Sequence, residues 1–445
     1  MTAFSPSRRR LLAGLGAGAA ALALPPPLRA QSGALDVAII GAGGAGLTAA
    51  RELAAAGLRV AVLEARARIG GRAFTDDSSV GVAWDRGCSW LHASDINPWV
   101  AYARANKFEV QPDRWPRHVH EGSQRLSGTV TAALDRLQER LRGEIQSAGR
   151  RGLDVAAEQA LSAATRSDPW YPMAVASATA WEGVEPSNFS ALDQFHFAWK
   201  GDDLVIPRGY GTLLAHYARD VRVRTGTPVS RVRWTARGVE LQTPAGTLSA
   251  RACVVAVPSS VIAQAALVFA PALPVEVLQA HHDLPLGLMN KVALRFRRNV
   301  FPGEATEVLR ARRSDGRGMS YITRLWGSNV CVGHAAGAFA HELEAAGEAA
   351  MIDHALGELA DMLGGDLRRQ FDKGAATAWS ADPWSRGAYS HCLPGRFGAR
   401  AILTRPVGPL VFAGEHTEQS AYGTLHGAHL SGKRAARQVV ELLRG

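Results

Sequence analysis

Lysine is almost missing as a source of positive charge in this 445-residue chain: only five of its 50 basic residues are Lys, at positions 107, 200, 291, 373 and 433. Cysteine is as sparse. Cys88, Cys253, Cys331 and Cys392 show no C-x-x-C spacing, which argues against a metal site or a disulfide framework and leaves four thiols as packing residues. No internal repeat occurs, and the only low-complexity stretch is N-terminal. Lys/Arg runs interleaved with aromatics are lacking too. Residues 1–30 hold four arginines and no acid, so the remainder carries 46 basic against 40 acidic residues. That mild excess fits solubility and an anionic cofactor, and gives no reason to expect nucleic acid as a partner.

What is present suffices for a large core. At 47% apolar residues the chain exceeds the size of a single core, so two domains are expected. The stretch SRRRLLAGLGAGAAALALPPPLRA places a twin arginine, Arg8 and Arg9, before an apolar run from Leu11 to Leu24, with the small residue Ala30 at a cleavage point. The run is too short to span a bilayer comfortably. An uncleaved tether or an unstructured tail is the alternative; the expectation is a twin-arginine signal over residues 1–30. That route exports folded proteins, which suits a chain that loads a cofactor first. The mature protein is therefore expected in the periplasm or outside the cell, without stable membrane insertion, as a monomer or homodimer.

The segment LDVAIIGAGGAGLTAARELAAAGLRVAVLEA reads as strand, glycine turn, helix, strand. Val37–Ile40 and Val60–Leu63 are the strands, and Leu47–Ala56 is a small-residue helix ending at Gly57. Gly41, Gly43 and Gly46 satisfy G-x-G-x-x-G, and Glu64 follows the last glycine by 18 residues. Such glycines let the backbone turn tightly and approach a pyrophosphate at the helix N-terminus, while the acid accepts from an adenosine ribose. The alternative, a merely structural glycine turn, leaves the flanking strand, helix and acid unexplained.

Residues from about 100 to 205 show no βαβ pattern, are rich in Trp and Pro, and include the amphipathic TAALDRLQERLRGEI, a segment suited to a substrate domain. DLVIPRGYGTLLAHYARD then suggests strand, turn and helix. Short alternating strands at VRVRTGTPVSRVRW and GVELQTPAGTLSA lead to ACVVAVP, a run typical of a strand rejoining the nucleotide-binding sheet. More strands follow residue 291, a helix is expected near 341–363, and the chain closes with GPLVFAGEHT and the helix GAHLSGKRAARQVVELL. The expected fold is α/β: a Rossmann-like dinucleotide-binding domain over 34–100, 206–288 and 395–445, with an inserted α+β substrate domain on a mixed sheet over 101–205 and 289–394.

In LMNKVALRF, Lys291 heads an alternating strand, with Val292, Leu294 and Phe296 on one side and Lys291, Ala293 and Arg295 on the other. A lysine there is ordinarily a solvated edge charge. A desolvated lysine, however, can lose its proton, as arginine cannot.

Past Glu64, ARARIGGR carries Arg66, Gly70, Gly71 and Arg72 and extends the nucleotide motif as in FAD proteins of glutathione-reductase type. With GCSWLHASDINP, VIPRGYG, VVAVPSSVI, LPLGLMNKVALRF, WSADPWSRGAYS and FAGEHTEQSAYGTLHGAHLSG following in order, nearly the whole mature chain resembles the flavin amine oxidase family. The resemblance implies noncovalent FAD along the first domain and a mixed-sheet domain capping the isoalloxazine. It implies that Gly41, Gly43, Gly44, Gly46, Glu64, Ala65, Arg66, Gly71, Arg72, Val229, Trp379, Gly414, Glu415, Thr424 and Leu425 hold the cofactor. It makes Lys291 catalytic, reaching flavin N5 through a water, and brings Tyr389, His92, Thr424 and Trp384 to the substrate.

The FAD is taken as noncovalent because Ala388 stands where monoamine oxidases carry a flavin-linked cysteine. Thr424 replaces the second ring of their aromatic cage, and the wording of ADPWSRGAYS and LHGAHLSG comes closer to polyamine oxidases and flavin-dependent histone lysine demethylases. Ala93 departs from the usual glycine after the histidine. A packed structural histidine remains the alternative for His92, and a buried core tyrosine for Tyr389. Glu182, Glu185, Asp202 and Asp203 are acids able to hold a distal ammonium, with no choice among them.

The implied reaction takes a neutral amine, passes hydride to flavin, hydrolyses the imine and returns the electrons to dioxygen as hydrogen peroxide. Three other readings stay open. A monoamine or heterocyclic amine oxidase would keep Lys291 and reshape the cap. An L-amino acid oxidase would need an arginine that GCSWLHAS lacks. A flavin dehydrogenase serving a protein acceptor, or a binding module without turnover, is the third.

Overall fold

A computed structural model describes residues 35–444; the expected export signal, residues 1–30, lies outside them. The apolar run Leu35–Ile40 is buried throughout and forms a central strand, parallel to Val60–Leu63 on one side and to Gly246–Val255 on the other. Val223–Arg224 extends the sheet beyond Val60–Leu63. Gly246–Val255 serves two further neighbours: its first half pairs antiparallel with Gly238–Thr243, its second half parallel with Leu410–Phe412. GTLSA and ACVV, expected as separate strands, are one, because no Gly or Pro interrupts the run after Gly246.

The first helix, Gly44–Ala55, begins three residues before the apolar periodicity does, since Gly44, Ala45 and Gly46 carry no pattern to read. It packs on the C-terminal helix Leu425–Arg444. A side chain on Gly432 would put its Cβ 2.4 Å from the Ala45 carbonyl, so the small residue sets how closely the two helices approach.

The second sheet runs in the order Phe371–Ala376, Met289–Phe296, Val330–Ala336, Ser320–Thr323, Glu307–Ala311, Arg117–Glu121, Gln124–Arg125. Its pairing is antiparallel except between Glu307–Ala311 and Arg117–Glu121, which makes it mixed. Arg117–Glu121 comes from the segment whose composition announced no strand. The amphipathic helix there, Gly128–Arg150, buries Leu134, Leu137, Leu141 and Ile145.

Met289–Phe296 lies inside this sheet, and both of its faces are covered. Val292, Leu294 and Phe296 pack against Met351 and Leu359 of the helix Glu348–Leu363. Ala293 packs with Val80, Trp84 and Val332 on the opposite face. Lys291 is therefore no edge charge; it is 3% exposed. The helix expected near 341–363 is two, Gly337–Ala346 and Glu348–Leu363, broken at Gly347, whose φ of +92° favours glycine.

Candidate active site

A cavity of about 840 Å³ is lined by residues of both sheets. At one end is the glycine turn. Gly41 has φ +100°, and a Cβ there would meet the Ala256 carbonyl oxygen at 2.7 Å. A Cβ on Gly43 would meet nothing within 4 Å, so bare backbone faces the cavity. The helix that follows has neither a side-chain cap nor an acid in its first turn, which leaves its positive end available to an anion. Gly46 corrects an expectation: it does not line the cavity. A Cβ there would lie 2.0 Å from the Gly41 carbonyl oxygen, so its part is to let helix and turn close together.

Glu64 is buried, with one carboxylate oxygen accepting from Ala42 N at 2.7 Å and the other from Arg66 N at 2.9 Å. Each oxygen keeps a lone pair for a ribose hydroxyl. Ala65 and Val229 line the same wall, and Arg66 reaches across to Asp382 at 2.8 Å and Ser385 at 3.2 Å. Arg72 donates to the Ala388 carbonyl at 2.8 Å and to Glu415 at 2.9 Å. Glu415 also accepts from Ser390 Oγ at 2.6 Å and Gly423 N at 2.8 Å. Burial opposes its ionisation, but Arg72, His416 and Ser390 outweigh that and hold its pKa down at about 2. Gly41, Gly43, Gly44, Gly71, Gly414 and Leu425 complete this lining. A bare glycine turn at a helix N-terminus, a fixed acid and an elongated cavity fit a flavin dinucleotide.

At the other end stands Lys291. Its Nζ donates to the carbonyls of Asp85 at 2.9 Å and Gly87 at 2.6 Å, and bonds Ser89 Oγ at 2.6 Å. Burial pushes the amine down to about 8, although Asp85 and Cys88 favour its charge. As an ammonium it matches three donors to three acceptors. As a neutral amine it keeps two N–H bonds to the carbonyls, and its lone pair accepts from the Ser89 hydroxyl. A water reaching Nζ therefore replaces one of these partners. Ser89 is the one that a single χ1 rotation releases.

His92, Trp379, Trp384, Tyr389 and Thr424 line the same cavity. The Tyr389 hydroxyl donates to the Ala180 carbonyl at 2.7 Å, and burial, with Glu182, pushes its ionisation far up, so it presents a neutral ring. His92 Nδ1 lies 2.9 Å from Asp203, and its ring sits edge-on to Trp181 at 4.9 Å. The Trp379 indole donates to the Arg86 carbonyl at 3.0 Å. Thr424 is committed elsewhere: its hydroxyl donates to the Ala421 carbonyl at 2.6 Å and accepts from Gly427 N at 3.0 Å, capping the C-terminal helix.

Of the four candidate acids, Asp202 pairs with the exposed Arg114 and does not line the cavity. Glu185 accepts from Ala338 N at 2.8 Å, and Asp203 holds His92. Glu182 is different. Burial and Asp193 push it up to about 7, and it accepts from Tyr422 Oη at 3.1 Å and Gln194 at 3.2 Å.

Sequence reasoning missed the cradle of Asp85, Gly87 and Ser89. These residues stand more than 200 positions from Lys291, as the separations of 206, 204 and 202 record. The one signal was their place just before the Trp90–His92 segment.

The fold and the cavity fit an oxidoreductase that binds a flavin. The chain belongs to the family described as flavin containing amine oxidoreductase, whose model matches residues 45–440. It is 29% identical to polyamine oxidase 4 of Oryza sativa subsp. japonica, over 93% of this chain and 90% of that protein. It is 30% identical to polyamine oxidase 2 of Arabidopsis thaliana, over 90% and 87%. Lysine-specific histone demethylase 1 homolog 2 of Oryza sativa subsp. japonica is also 30% identical, but the match spans only 59% of its length. In fold the chain is similar to a putrescine oxidase variant redesigned at its cofactor site, with a TM-score of 0.75 over 92% of this chain and 99% of that one, at 21% identity.

Proposed function

We propose that the protein oxidises the C–N bond of a polyamine-like or other amine, with noncovalent FAD. The observation that carries this reading is Lys291 Nζ, buried in the wall of the cavity whose far end is the bare glycine turn. FAD, when bound, would supply a two-electron oxidant for the carbon beside nitrogen, with dioxygen as the final acceptor and hydrogen peroxide as its product.

The chain's own residues bind, orient and exclude. Gly41, Gly43, Gly44, Glu64 and Leu425, which sits against Gly44, hold the nucleotide end, Arg72, Gly414 and Glu415 the stretch beyond it, and Trp379 lies toward Lys291. Tyr389, with Trp379 and Trp384, offers aromatic faces to an amine and keeps water out. Lys291 holds a proton at Nζ below about pH 8 and releases it above, with the Ser89 hydroxyl turning from acceptor to donor. Ala388 has no nucleophile to offer a flavin. The cavity's thiol, Cys88, is pushed up to about 12 by burial and Asp85, which leaves it an unreactive thiol. Arg8, Arg9 and the apolar run after them support export after the cofactor is loaded, to the periplasm or beyond.

The test is peroxide release in air with spermidine, a monoamine and an amino acid as rival substrates, together with flavin release on denaturation. Amine-dependent peroxide and a freely released flavin support the reading. Protein that stays colourless after flavin supplementation overturns it.

A further inference from the structure

A row of side chains crosses the second sheet, leading away from Lys291. Lys291 is paired with His334, His334 with Ser320, and Ser320 with Arg310, on successive antiparallel strands. Directly opposed residues point to the same face, and all four line the cavity. Three strand spacings of about 4.8 Å put the Arg310 backbone about 14 Å from that of Lys291.

Arg310 is unlike the cavity's other half-buried arginines. Arg66, Arg72 and Arg86 each pair with a carboxylate, of Asp382, Glu415 and Asp76 respectively. Arg310 makes no ion pair among the described residues; its one bond runs from Nη1 to Ser177 Oγ at 2.8 Å. Its charged neighbour is Arg117, and burial together with Arg117 pushes the guanidinium down to about 10, still charged at any working pH. The carboxylates that line this end do not pair with it. Asp113 is held by the Trp90 indole at 2.8 Å and by Arg117 at 3.6 Å, while Asp135 and Asp315 form no ion pair with Arg310 among the described residues. A desolvated cation with a like-charged neighbour and no counter-ion is costly, and a ligand that brings the counter-ion removes that cost.

We propose that the Arg310 end of the cavity is a subsite for a carboxylate, carried by the amine substrate at the end remote from the nitrogen that is oxidised. Arg310 donates to it as a planar fork, with the Ser320 hydroxyl as a further donor, while Ser177, whose own proton goes to the Met173 carbonyl at 3.0 Å, holds the guanidinium in place. The span to Lys291 suits an amino acid whose amine and carboxylate are separated by several carbons, not an α-amino acid. His334 between them stays uncharged, since burial and Lys291 push it down to about 3, so the stretch crossed by the carbon chain bears no charge. The subsite rests on the amine oxidase reading and narrows it: a second ammonium, as in a diamine, would meet Arg310 charge to charge.

The test compares ε-aminocaproate with hexylamine and cadaverine on the flavin-loaded enzyme, and uses caproate, which has no amine to oxidise, as a binding probe. Caproate is expected to raise the thermal midpoint of the wild-type protein and to compete with ε-aminocaproate. In Arg310→Gln the ratio of kcat/KM for ε-aminocaproate over hexylamine should fall roughly tenfold to a hundredfold, mostly through KM, the size expected for losing a hydrogen bond to a charged group. Arg310→Lys should keep part of the preference. An unchanged ratio in both variants overturns the subsite. So does a wild-type protein that caproate does not stabilise, which decides the matter even if the variants fail to fold. Absence of peroxide from every amine would instead sink the oxidase reading, and caproate binding would still report on the subsite by itself.

Discussion

The main-chain oxygen of Asp85 accepts from Lys291 Nζ at 2.9 Å, while the carboxylate of the same residue accepts from Tyr210 N at 2.9 Å and Gly211 N at 3.2 Å. One residue thus ties the cavity lysine of the second sheet to the start of a helix packed on the first, Tyr210–Tyr217. Nζ is held by main chain on two sides, so its position depends little on side-chain freedom. Its protonation depends on burial.

Lys291 should govern a rise in activity with pH. With a pKa near 8, the amine is charged below that value and neutral above it, so kcat/KM should climb through about pH 8. Lys291→Met and Lys291→Arg should both lose roughly a hundredfold or more in turnover and lack that limb, because neither can release a proton there. A pH profile of either variant that keeps the limb would remove Lys291 from the mechanism.

Ser89→Ala separates the cradle from the lysine. The hydroxyl is one of three acceptors for the ammonium, and losing an acceptor disfavours the charged form. The inflection near 8 should therefore move down while Lys291 remains in place. An inflection that stays put means that Ser89 contributes nothing to holding the charge.

Glu415 links Arg72, Ser390 and Gly423 beside the cavity. Its folded pKa of about 2 lies below the ordinary 4.5. The stabilisation it supplies is thus complete above about pH 4.5 and is lost as pH falls toward 2. Glu415→Gln should cost about 3 kcal/mol at neutral pH and flatten the acid limb of the stability curve. Urea unfolding measured at pH 7 and pH 3 would show whether the difference shrinks in acid as expected.

Arg400 and Asp193 form a pair with side-chain exposures of 0% and 2%, joined at 2.8 Å and 3.0 Å. Arg400→Met strands a buried carboxylate and should cost about 3–5 kcal/mol. Replacing both residues with apolar ones of similar size should cost less than the single change. Denaturant midpoints of Arg400→Met, Asp193→Leu and the double variant decide this, and strict additivity would argue against the pair as a unit.

Two glycines of the turn should behave differently. A Cβ on Gly46 collides with backbone, so Gly46→Ala should lower the thermal midpoint of the flavin-free protein as well as flavin content. A Cβ on Gly43 collides with nothing in the chain. Gly43→Ala should leave the flavin-free midpoint near wild type while weakening flavin retention, as read by absorbance after dialysis.

Chain-local rules determined much of this protein. The apolar run Leu35–Ile40, the glycines at 41, 43 and 46 and the acid at 64 dictate a strand, a turn and a helix wherever they occur, because those preferences act over a few residues. The spacing around Lys291 likewise announced a strand. What no local pattern held was which faces would be covered. Val80 and Trp84 close the second face of the lysine strand, and Asp85, Gly87 and Ser89 fill the valences of its amine from some 200 residues away. Arg310 looks in sequence like any other strand arginine; its lack of a counter-ion among the described residues shows only once the strands align it with Lys291 and Arg117 arrives beside it. Backbone conformation is set by near neighbours along the chain. Desolvation and charge pairing are set by neighbours in space, and only the tertiary structure supplies those.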